Sequence, residues 1–462
     1  MSDRVLALKL GIGLAGGIAA IFFCSAPAVF RCSKGRFDLL AFALLLGSRL
    51  AMYVLTYVIL GQEVPSDVPW VYYPPGQLIL EGKLPYRDFE SSYAPLFGFV
   101  SAALISLWNN TKVFVLFAIA VEAVSLWMWM AVARMVTHET TARQATLLNI
   151  VNTNVLQTVL VGTNQIWIAC LLGWSLLLVL RRKDVASGAV MALSITAIKI
   201  LGIMFAPMLW LAATDTTSQR RETDNSQPEK LPRADGTPVS FLEHVGLPQR
   251  RLRWTIGFLA PTIVVYGIFM LLGVDILFPL KFEGGLETHG NIPYFLSLFG
   301  FDPSGPTGKI SMLLMGLIAA GLCLRAWAQG IGGQPARIID LISLIMLTFM
   351  LLSKKAFPAY LATALFPLCL TIARHPFSPR ALWAHGLFIV LTTVQSSFWF
   401  RWMDMGNFST LWNPALPENQ RWTMVLFAVM ECVLLIFYVA YWLKAYRGVF
   451  GPRQPAQNAS TA

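Results

Sequence analysis

Apolar segments of about twenty residues recur along almost the whole of this 462-residue sequence, with few polar stretches between them. A helix rises about 1.5 Å per residue, so a segment of this length spans the roughly 30 Å hydrocarbon core of a bilayer. The sequence predicts about eleven transmembrane helices, at 5–29, 37–60, 112–133, 143–161, 165–181, 254–273, 309–326, 338–353, 357–373, 381–400 and 422–443. It therefore predicts an all-α polytopic membrane protein.

Composition excludes the alternative of two or three soluble domains. Apolar residues make up 56% of the chain and charged residues 13%, whereas soluble domains carry about 25% charged residues. So few charges cannot cover the apolar surface, and lipid must do so. The net charge of +11 is spread along the chain, which argues against nucleic-acid binding. The six cysteines show no short spacing typical of a disulfide or zinc framework.

The distribution of Lys and Arg predicts the orientation in the membrane. One alternating set of loops holds 22 of the 35 basic residues, and the opposite set, at 61–92, 274–308, 354–356 and 401–421, holds seven. Because basic loops stay in the cytoplasm, we expect a cytoplasmic C-terminus and an external N-terminus. Cleavage of a signal peptide at Ala26-Pro27-Ala28 is the alternative, and it would invert the charge bias of the loops that follow.

Two segments do not fit simple crossings. Tyr93–Trp108 has sixteen residues, too few to span comfortably, and we expect an interfacial helix. Residues 185–213 are flanked on both sides by basic runs, which predicts a short membrane hairpin that turns near Lys199. Non-helical backbone at such depth is tolerated only against protein or a watery cavity.

These elements predict four regions. The N-terminal membrane half is 1–213, and it holds the first external loop at 61–92 and the hairpin at 185–213. A disordered cytoplasmic connector follows at 214–253. The C-terminal membrane half is 254–443, with the second external loop at 274–308, and a cytoplasmic tail follows at 444–462.

The first external loop carries the densest group of acidic and aromatic residues. Asp67 lies seven residues beyond a predicted span, so we expect it close to the membrane surface. No GxGxxG, P-loop or HExxH pattern and no Cys/His cluster occurs in the sequence. The chain thus lacks the sequence signals of ATP-driven transport or nicotinamide chemistry.

The stretch SDVPWVYYPPGQLILEGKLPYRDFESSYAPLFGF resembles the first external loop of the GT-C superfamily of membrane glycosyltransferases. It is most similar to bacterial families related to polyprenyl-phosphate-mannose-dependent mannosyltransferases. Later segments agree in order, and the resemblance covers roughly residues 37–373. The matching positions are Asp67, Tyr72-Tyr73, Gly82, Pro85-Tyr86, Arg87-Asp88-Phe89, Tyr93 and Pro95-Leu96, then Gly162–Gln165, Ser187-Gly188, Lys199, Pro207, Gly290-Asn291 and 353–367. The departures are an additional N-terminal span, Ala94 in place of a common proline, and the absence of a paired DxD at Asp67.

The resemblance implies an inverting transfer of a sugar, with mannose the suggested one, from a polyprenyl-phosphate donor to an acceptor hydroxyl at the external face. It implies a lipid or glycan acceptor, contact with membrane lipids, and a place in the bacterial inner membrane. Asp67 is the expected catalytic base. The expected donor-phosphate ligands are Lys199, Arg87, Lys354 and Lys355, and the expected substrate contacts are Trp70, Tyr72, Tyr73, Glu90, Tyr93, His289, Asn291 and Tyr360. The sequence assigns no cofactor and leaves a divalent cation open.

Other interpretations remain at this stage. The chain could be a transporter or flippase for a lipid-linked or amphipathic solute, or a scaffold without catalysis. Lys199 could instead snorkel to an interface or pair with Glu122 or Glu431, and Lys354 and Lys355 could be interfacial anchors. The buried charges expected to form structural pairs between helices are Arg49, Glu122, Asp340 and Glu431.

Overall fold

The computed structural model describes residues 3–25, 30–214, 249–284, 291–298, 301, 305–374, 379–402 and 418–452. Within these ranges the chain is helical and contains no strand, apart from one isolated bridge between Pro85 and Phe89. The α-helices are Asp3–Ser25, Lys34–Tyr53, Tyr73–Leu80, Phe97–Leu107, Lys112–Val136, Glu139–Ile150, Thr153–Leu160, Gln165–Leu180, Asp184–Leu193, Ala206–Ala212, Gln249–Leu271, Phe278–Gly284, Ile292–Leu298, Pro306–Ala328, Pro335–Leu352, Leu365–Ala373, Pro379–Trp402 and Glu418–Phe450. Short π-helices lie at Val54–Ile59, Val68–Tyr72 and Ser194–Ile198, and 3₁₀-helices at Ile200–Phe205, Ile331–Gly333 and Pro358–Ala364.

Six helices in the described ranges are long and apolar enough to cross a membrane, or seven if one bent pair counts as a single span. Lys112–Val136 and Pro335–Leu352 are the most buried, and the other four present apolar side chains outward. Outward apolar faces suit a lipid environment, so the all-helical chain has the character of an integral membrane protein. The figure of about eleven crossings, which includes several shorter segments, stays a prediction.

The predicted crossing at 143–161 is wrong as a single helix. The chain forms two helices there, Glu139–Ile150 and Thr153–Leu160, separated by a turn in which the Asn152 side chain accepts a hydrogen bond from the backbone of Asn154 (3.1 Å). Asparagine competes for backbone hydrogen bonds in this way and favours a new helix start. After Leu160 the chain bends again, and the helix from Gln165 leaves at 114° to its predecessor.

The segment predicted as a hairpin doubles back on itself. Arg250 joins its two ends, because the guanidinium pairs with the Asp184 carboxylate (2.7 Å) and also donates to the Thr214 carbonyl (2.7 Å). Between these ends the helix breaks at Lys199, whose backbone is extended (φ −157°, ψ 144°). On the returning arm, Gly202 packs against Ser194 of the first arm.

The long helices place the basic loops and the first polar loop at opposite ends of the bundle. Arg134 pairs with Asp38 at one end, where the helices Lys34–Tyr53 and Lys112–Val136 begin and finish, respectively. At the other end Lys112 Nζ donates to the Tyr57 carbonyl (3.2 Å). The loop that carries Asp67 follows Tyr57 and therefore lies at this second end.

Buried charges are paired as expected for three of the four positions. Arg49 forms a bidentate ion pair with Glu122 (2.7 and 3.0 Å), and Asp340 forms an ion pair with Arg374. Glu431 instead accepts a hydrogen bond from Gln395 Nε2 (2.7 Å). A buried charge is tolerated only when it has such a partner. Each of these contacts joins residues that are far apart in sequence, and so links different helices of the bundle.

Several predictions fall outside the described residues. These are His289, Gly290, the Ala26-Pro27-Ala28 cleavage position and most of the connector at 214–253.

Two glycines allow the first arm of the hairpin to approach the helix Gln249–Leu271 closely. A Cβ atom on Gly257 would lie 2.1 Å from the Val185 carbonyl oxygen, and one on Gly188 would lie 2.2 Å from the Trp254 carbonyl oxygen. Small residues at such crossings let helix backbones touch inside a membrane protein. The added methyl group of alanine therefore has no room at either position.

We expect Gly257→Ala to lower the melting temperature of the detergent-solubilised protein, with a loss of about 1–3 kcal/mol from overpacking. Gly267→Ala is a matched control on the same helix, since nothing lies within 4 Å of its Cβ position. This control should leave stability unchanged or slightly raised, because alanine favours helix more than glycine. Equal melting temperatures for the two variants would contradict the close approach.

Candidate active site

Asp67 lies at the start of the π-helix Val68–Tyr72 and is partly exposed. The preceding residue, Ser66, adopts a left-handed conformation (φ 71°), which turns the chain abruptly before Asp67. Behind this segment, Val68 is fully buried against Gly162. Gly162 has a positive φ (72°), and a Cβ atom added to it would lie 3.0 Å from the Val68 side chain. The turn at Gly162 therefore packs closely against Val68 and supports the backbone that carries Asp67.

Tyr93 donates a hydrogen bond to the Asp67 carboxylate, with 2.8 Å between its hydroxyl and Oδ2. The Tyr72 hydroxyl lies 3.5 Å from that of Tyr93 and accepts a bond from the Asn164 backbone N–H (3.3 Å). Burial raises the pKa of Tyr93 well above its usual value, and Tyr72 and Asp67 add to this effect. The hydroxyl of Tyr93 thus keeps its proton and acts as a donor that orients Asp67.

Lys199 lies on the other side of Tyr93. Its ammonium nitrogen is 5.1 Å from the centre of the Tyr93 ring and 3.3 Å from the Tyr360 hydroxyl. The residue is only 7% exposed. Snorkelling therefore does not describe its position, and Glu122 and Glu431 have the partners given above. Contact with aromatic faces and a hydroxyl compensates part of the cost of burying the ammonium group.

Backbone hydrogen bonds hold the Tyr93 segment against the break at Lys199. The N–H groups of Ala94 and Leu96 donate to the carbonyls of Ile198 (3.2 Å) and Thr196 (2.9 Å). The break in the hairpin frees these carbonyls from helical hydrogen bonding, and the loop satisfies them. Tyr93 and Lys199, which are far apart in sequence, are thereby fixed side by side.

Lys355 reaches the same place from the turn after the helix Pro335–Leu352. Asn291 Nδ2 donates to the Ser353 carbonyl (2.6 Å), and Ser353 Oγ accepts from the Lys355 backbone N–H (3.1 Å). Ser311 Oγ donates to the Leu352 carbonyl (2.6 Å). Asn291 is fully buried and holds the turn that presents Lys355, and its expected contact with substrate stays a prediction.

The surroundings of Lys355 change its acidity. Burial, together with the charge of Lys199, lowers the pKa of Lys355 to about 6, and the charge of Asp67 opposes this shift. An anion that binds next to Lys199 and Lys355 would offset the charge that disfavours protonation of Lys355. A phosphate group has the charge and the acceptor oxygens for this role.

A divalent cation does not fit this group of residues. Asp67 supplies a carboxylate, but the ammonium group of Lys199 would repel a metal cation bound near it. Within the described ranges, no three His, Cys, Asp or Glu side chains lie close enough together to hold a metal ion. The cationic groups that the site itself offers are the two lysines.

The remaining predicted site residues lie apart from this cluster or at its edge. Arg87 pairs with the adjacent Asp88 (2.7 Å) and is half exposed, and Glu90 is exposed. Tyr73 donates to Asn109 Oδ1 (2.6 Å), and Trp70 is 81% exposed. Lys354 is half-buried beside Lys355 in the chain. His289 lies outside the described residues.

Asn164 is the residue that sequence reasoning left without a role. Both polar atoms of its side chain are buried and have no hydrogen-bond partner among the residues that the structure describes, while its backbone N–H donates to the Tyr72 hydroxyl. The Gly162–Gln165 turn was recognised only by resemblance, and its contacts with Val68 and Tyr72 depend on the bend before Gln165. No local pattern in the sequence indicates that bend.

We expect the Lys355 amine to react with acetic anhydride at a rate that levels off near pH 7, because an amine of pKa about 6 is then largely neutral. Peptide mass spectrometry measures the rate, and the denatured protein, in which the amine regains its ordinary behaviour, is the control. Lys199→Gln removes a charge that lowers the pKa and should move the profile to higher pH. Identical profiles in the folded variant and the wild type would contradict the coupling of the two lysines.

Comparison with known families adds an independent finding. Residues 92–219, a little over a quarter of the chain, match the model of glycosyltransferase family 87. No curated protein matches the chain significantly. The matched segment includes Tyr93, Asn164 and Lys199 of the cluster, and Asp67 and Lys355 lie outside it. Together with the apolar helices, the match supports a membrane glycosyltransferase.

Proposed function

We propose that this protein transfers a sugar, with mannose as the first candidate, from a polyprenyl-phosphate donor to a hydroxyl of a lipid or glycan acceptor, with inversion at the anomeric carbon. The observation that carries the proposal is the meeting of Asp67, Lys199 and Lys355 around Tyr93. The family match independently supports glycosyl transfer. A carboxylate beside two amines combines a base with a phosphate ligand, which this reaction needs.

Asp67 acts as the general base. Tyr93 occupies its Oδ2 atom, which leaves Oδ1 to take the proton from the acceptor hydroxyl. As that proton moves, the acceptor oxygen forms a bond to the anomeric carbon, and the bond between this carbon and the phosphate oxygen breaks. Attack from the face opposite the leaving phosphate inverts the configuration.

Lys199 and Lys355 bind the phosphate. The donor is a phosphodiester with one negative charge, and the departing polyprenyl phosphate develops a second. Cationic groups therefore bind the transition state more strongly than the substrate, which is the condition for acceleration. The charge of Lys199 disfavours protonation of Lys355 in the free protein. The negative charge that grows on the phosphate has the opposite effect, because it favours uptake of a proton by Lys355. Tyr360 and Asn291 position the two lysines.

We assign the site to the external face of the bacterial inner membrane, with the C-terminus in the cytoplasm. The support is the distribution of charge along the bundle, because Arg134 and Arg143 lie with residues 30–38 at one end. Asp67 follows Tyr57 at the other end. By the positive-inside rule the basic end is cytoplasmic, so the Asp67 end faces outward, where polyprenyl-linked sugars are the appropriate donors.

The transporter alternative predicts broken helices and ionisable residues at mid-membrane in both halves. Broken helices occur, but those at Leu160–Gln165, Lys199 and Pro358–Ala364 each contribute to the same cluster. Their convergence on a carboxylate and two lysines favours a catalytic site over a transport pathway.

We expect Asp67→Asn to lower sugar transfer by about 10²–10⁴-fold, the usual contribution of a positioned general base. Asparagine keeps the size and can still accept the Tyr93 hydrogen bond, so insertion and donor binding should persist. The assay follows transfer from a radiolabelled polyprenyl-phosphate sugar in membranes that contain each variant at matched expression.

Asp88→Asn is the matched control in the same loop. Asp88 accepts hydrogen bonds from the Arg87 side chain and from the Leu84 backbone N–H (2.8 Å). These two hydrogen bonds lower the pKa of Asp88 to about 2. Its task is to order the loop, so this variant should retain most activity. Near-normal turnover in Asp67→Asn, or an equal loss in both variants, would remove Asp67 from the proposed role.

A further inference from the structure

A groove of about 480 Å³ opens at the basic end of the bundle, opposite the end that carries Asp67. Its lining is apolar except at one position, Arg36. The lining residues are Phe23, Cys32, Arg36, Phe37, Leu40, Ala41, Leu44 and Leu147. The volume falls in the range of about 300–1,000 Å³ that holds small ligands.

The groove has a direction. Arg36, Leu40 and Leu44 follow one another at intervals of four residues on the helix Lys34–Tyr53, so they form one stripe along the helix axis. Leu40 is 55% exposed and accepts contact without disturbing the core. Arg36 lies at the mouth, at the charged end of the helix, and the apolar positions run from there toward the middle of the bundle.

The charges near the mouth are unbalanced. Arg31, Lys34 and Arg36 are exposed and form no ion pair within the described residues. The nearby carboxylates, Asp38 and Glu139, are engaged by Arg134 and Arg143. Five cations therefore face two carboxylates, and the excess positive charge attracts an anion.

We propose that this groove binds an anionic phospholipid, with one acyl chain along Leu40 and Leu44 and the head-group phosphate at Lys34 and Arg36. An apolar channel that ends in unbalanced basic residues matches the two parts of such a lipid. A soluble anion would use the charges and leave the apolar channel unfilled. The site is separate from the proposed catalytic cluster and does not depend on glycosyl transfer.

Native mass spectrometry of the detergent-solubilised full chain tests the proposal, with phosphatidylglycerol and phosphatidylcholine as the two lipids. Wild type should retain phosphatidylglycerol in preference to phosphatidylcholine. The double variant Lys34→Gln/Arg36→Gln should bind phosphatidylglycerol about 25-fold more weakly, since each basic residue near a lipid surface contributes about fivefold. Arg181→Gln removes an exposed cation elsewhere and should leave binding unchanged.

A second pair of variants tests the channel itself. Leu40→Trp fills the groove and should abolish retention of phosphatidylglycerol, whereas Leu39→Trp, at a 70% exposed neighbour outside the lining, should not. Because both positions are exposed, we expect both variants to fold normally, and equal melting temperatures would verify this. Equal retention of the two lipids by the wild type, or retention of phosphatidylglycerol by Leu40→Trp, would overturn the proposal.

Discussion

The burial of the Lys199 ammonium group is the constraint on which the site depends. Removing a cation from water costs several kcal/mol unless nearby groups compensate. Here the compensation comes from the rings of Tyr93 and Tyr360 and from the Tyr360 hydroxyl. The charge of Lys199 in turn lowers the pKa of the nearby Lys355, and the charge of Asp67 opposes that shift. In the proposed function, this cation, held by aromatic faces and a hydroxyl, binds the incoming phosphate.

Broken helices build this arrangement. Where the hairpin interrupts its helix at Lys199, the carbonyls of Thr196 and Ile198 lose helical partners and accept bonds from Ala94 and Leu96. Where the chain bends before Gln165, the Asn164 N–H meets Tyr72. Each break exposes backbone groups that must be satisfied inside an apolar protein, and each is satisfied by a segment that carries a site residue. The irregular backbone is thus what assembles the cluster.

Part of this could be predicted from the sequence. The recurrence of apolar segments correctly indicates a helical membrane protein. The cost of intramembrane charge correctly marks Arg49, Glu122 and Asp340 for pairing between helices, without naming their partners. These predictions succeed because they rest on energies that depend on single residues or on one period of a helix.

Other features depend on contacts between distant segments and could not be predicted. The hydrogen bond from the Tyr93 hydroxyl to Asp67 joins residues 26 positions apart. The bond from Asn291 to the Ser353 carbonyl joins residues 62 positions apart. The substrate contacts expected of Tyr93 and Asn291 stay predictions. The helix expected at 143–161 is interrupted because the Asn152 side chain caps a new helix. Local hydropathy does not distinguish a side chain that touches substrate from one that positions its neighbour.

The central claim is that Lys199 and Lys355 bind the donor phosphate. Isothermal titration of a short-chain polyprenyl phosphate at pH 7.5, in buffers of different ionisation enthalpy, measures affinity and proton uptake together. Lys355, with a pKa of about 6 in the free protein, is mostly neutral at this pH, and bound phosphate raises that pKa. The account predicts uptake of close to one proton, affinity that falls as the pH rises above about 6, and loss of the uptake in Lys355→Gln. The account would be contradicted if Lys199→Gln and Lys355→Gln bound the lipid phosphate as tightly as the wild type does, and if the wild type took up no proton on binding.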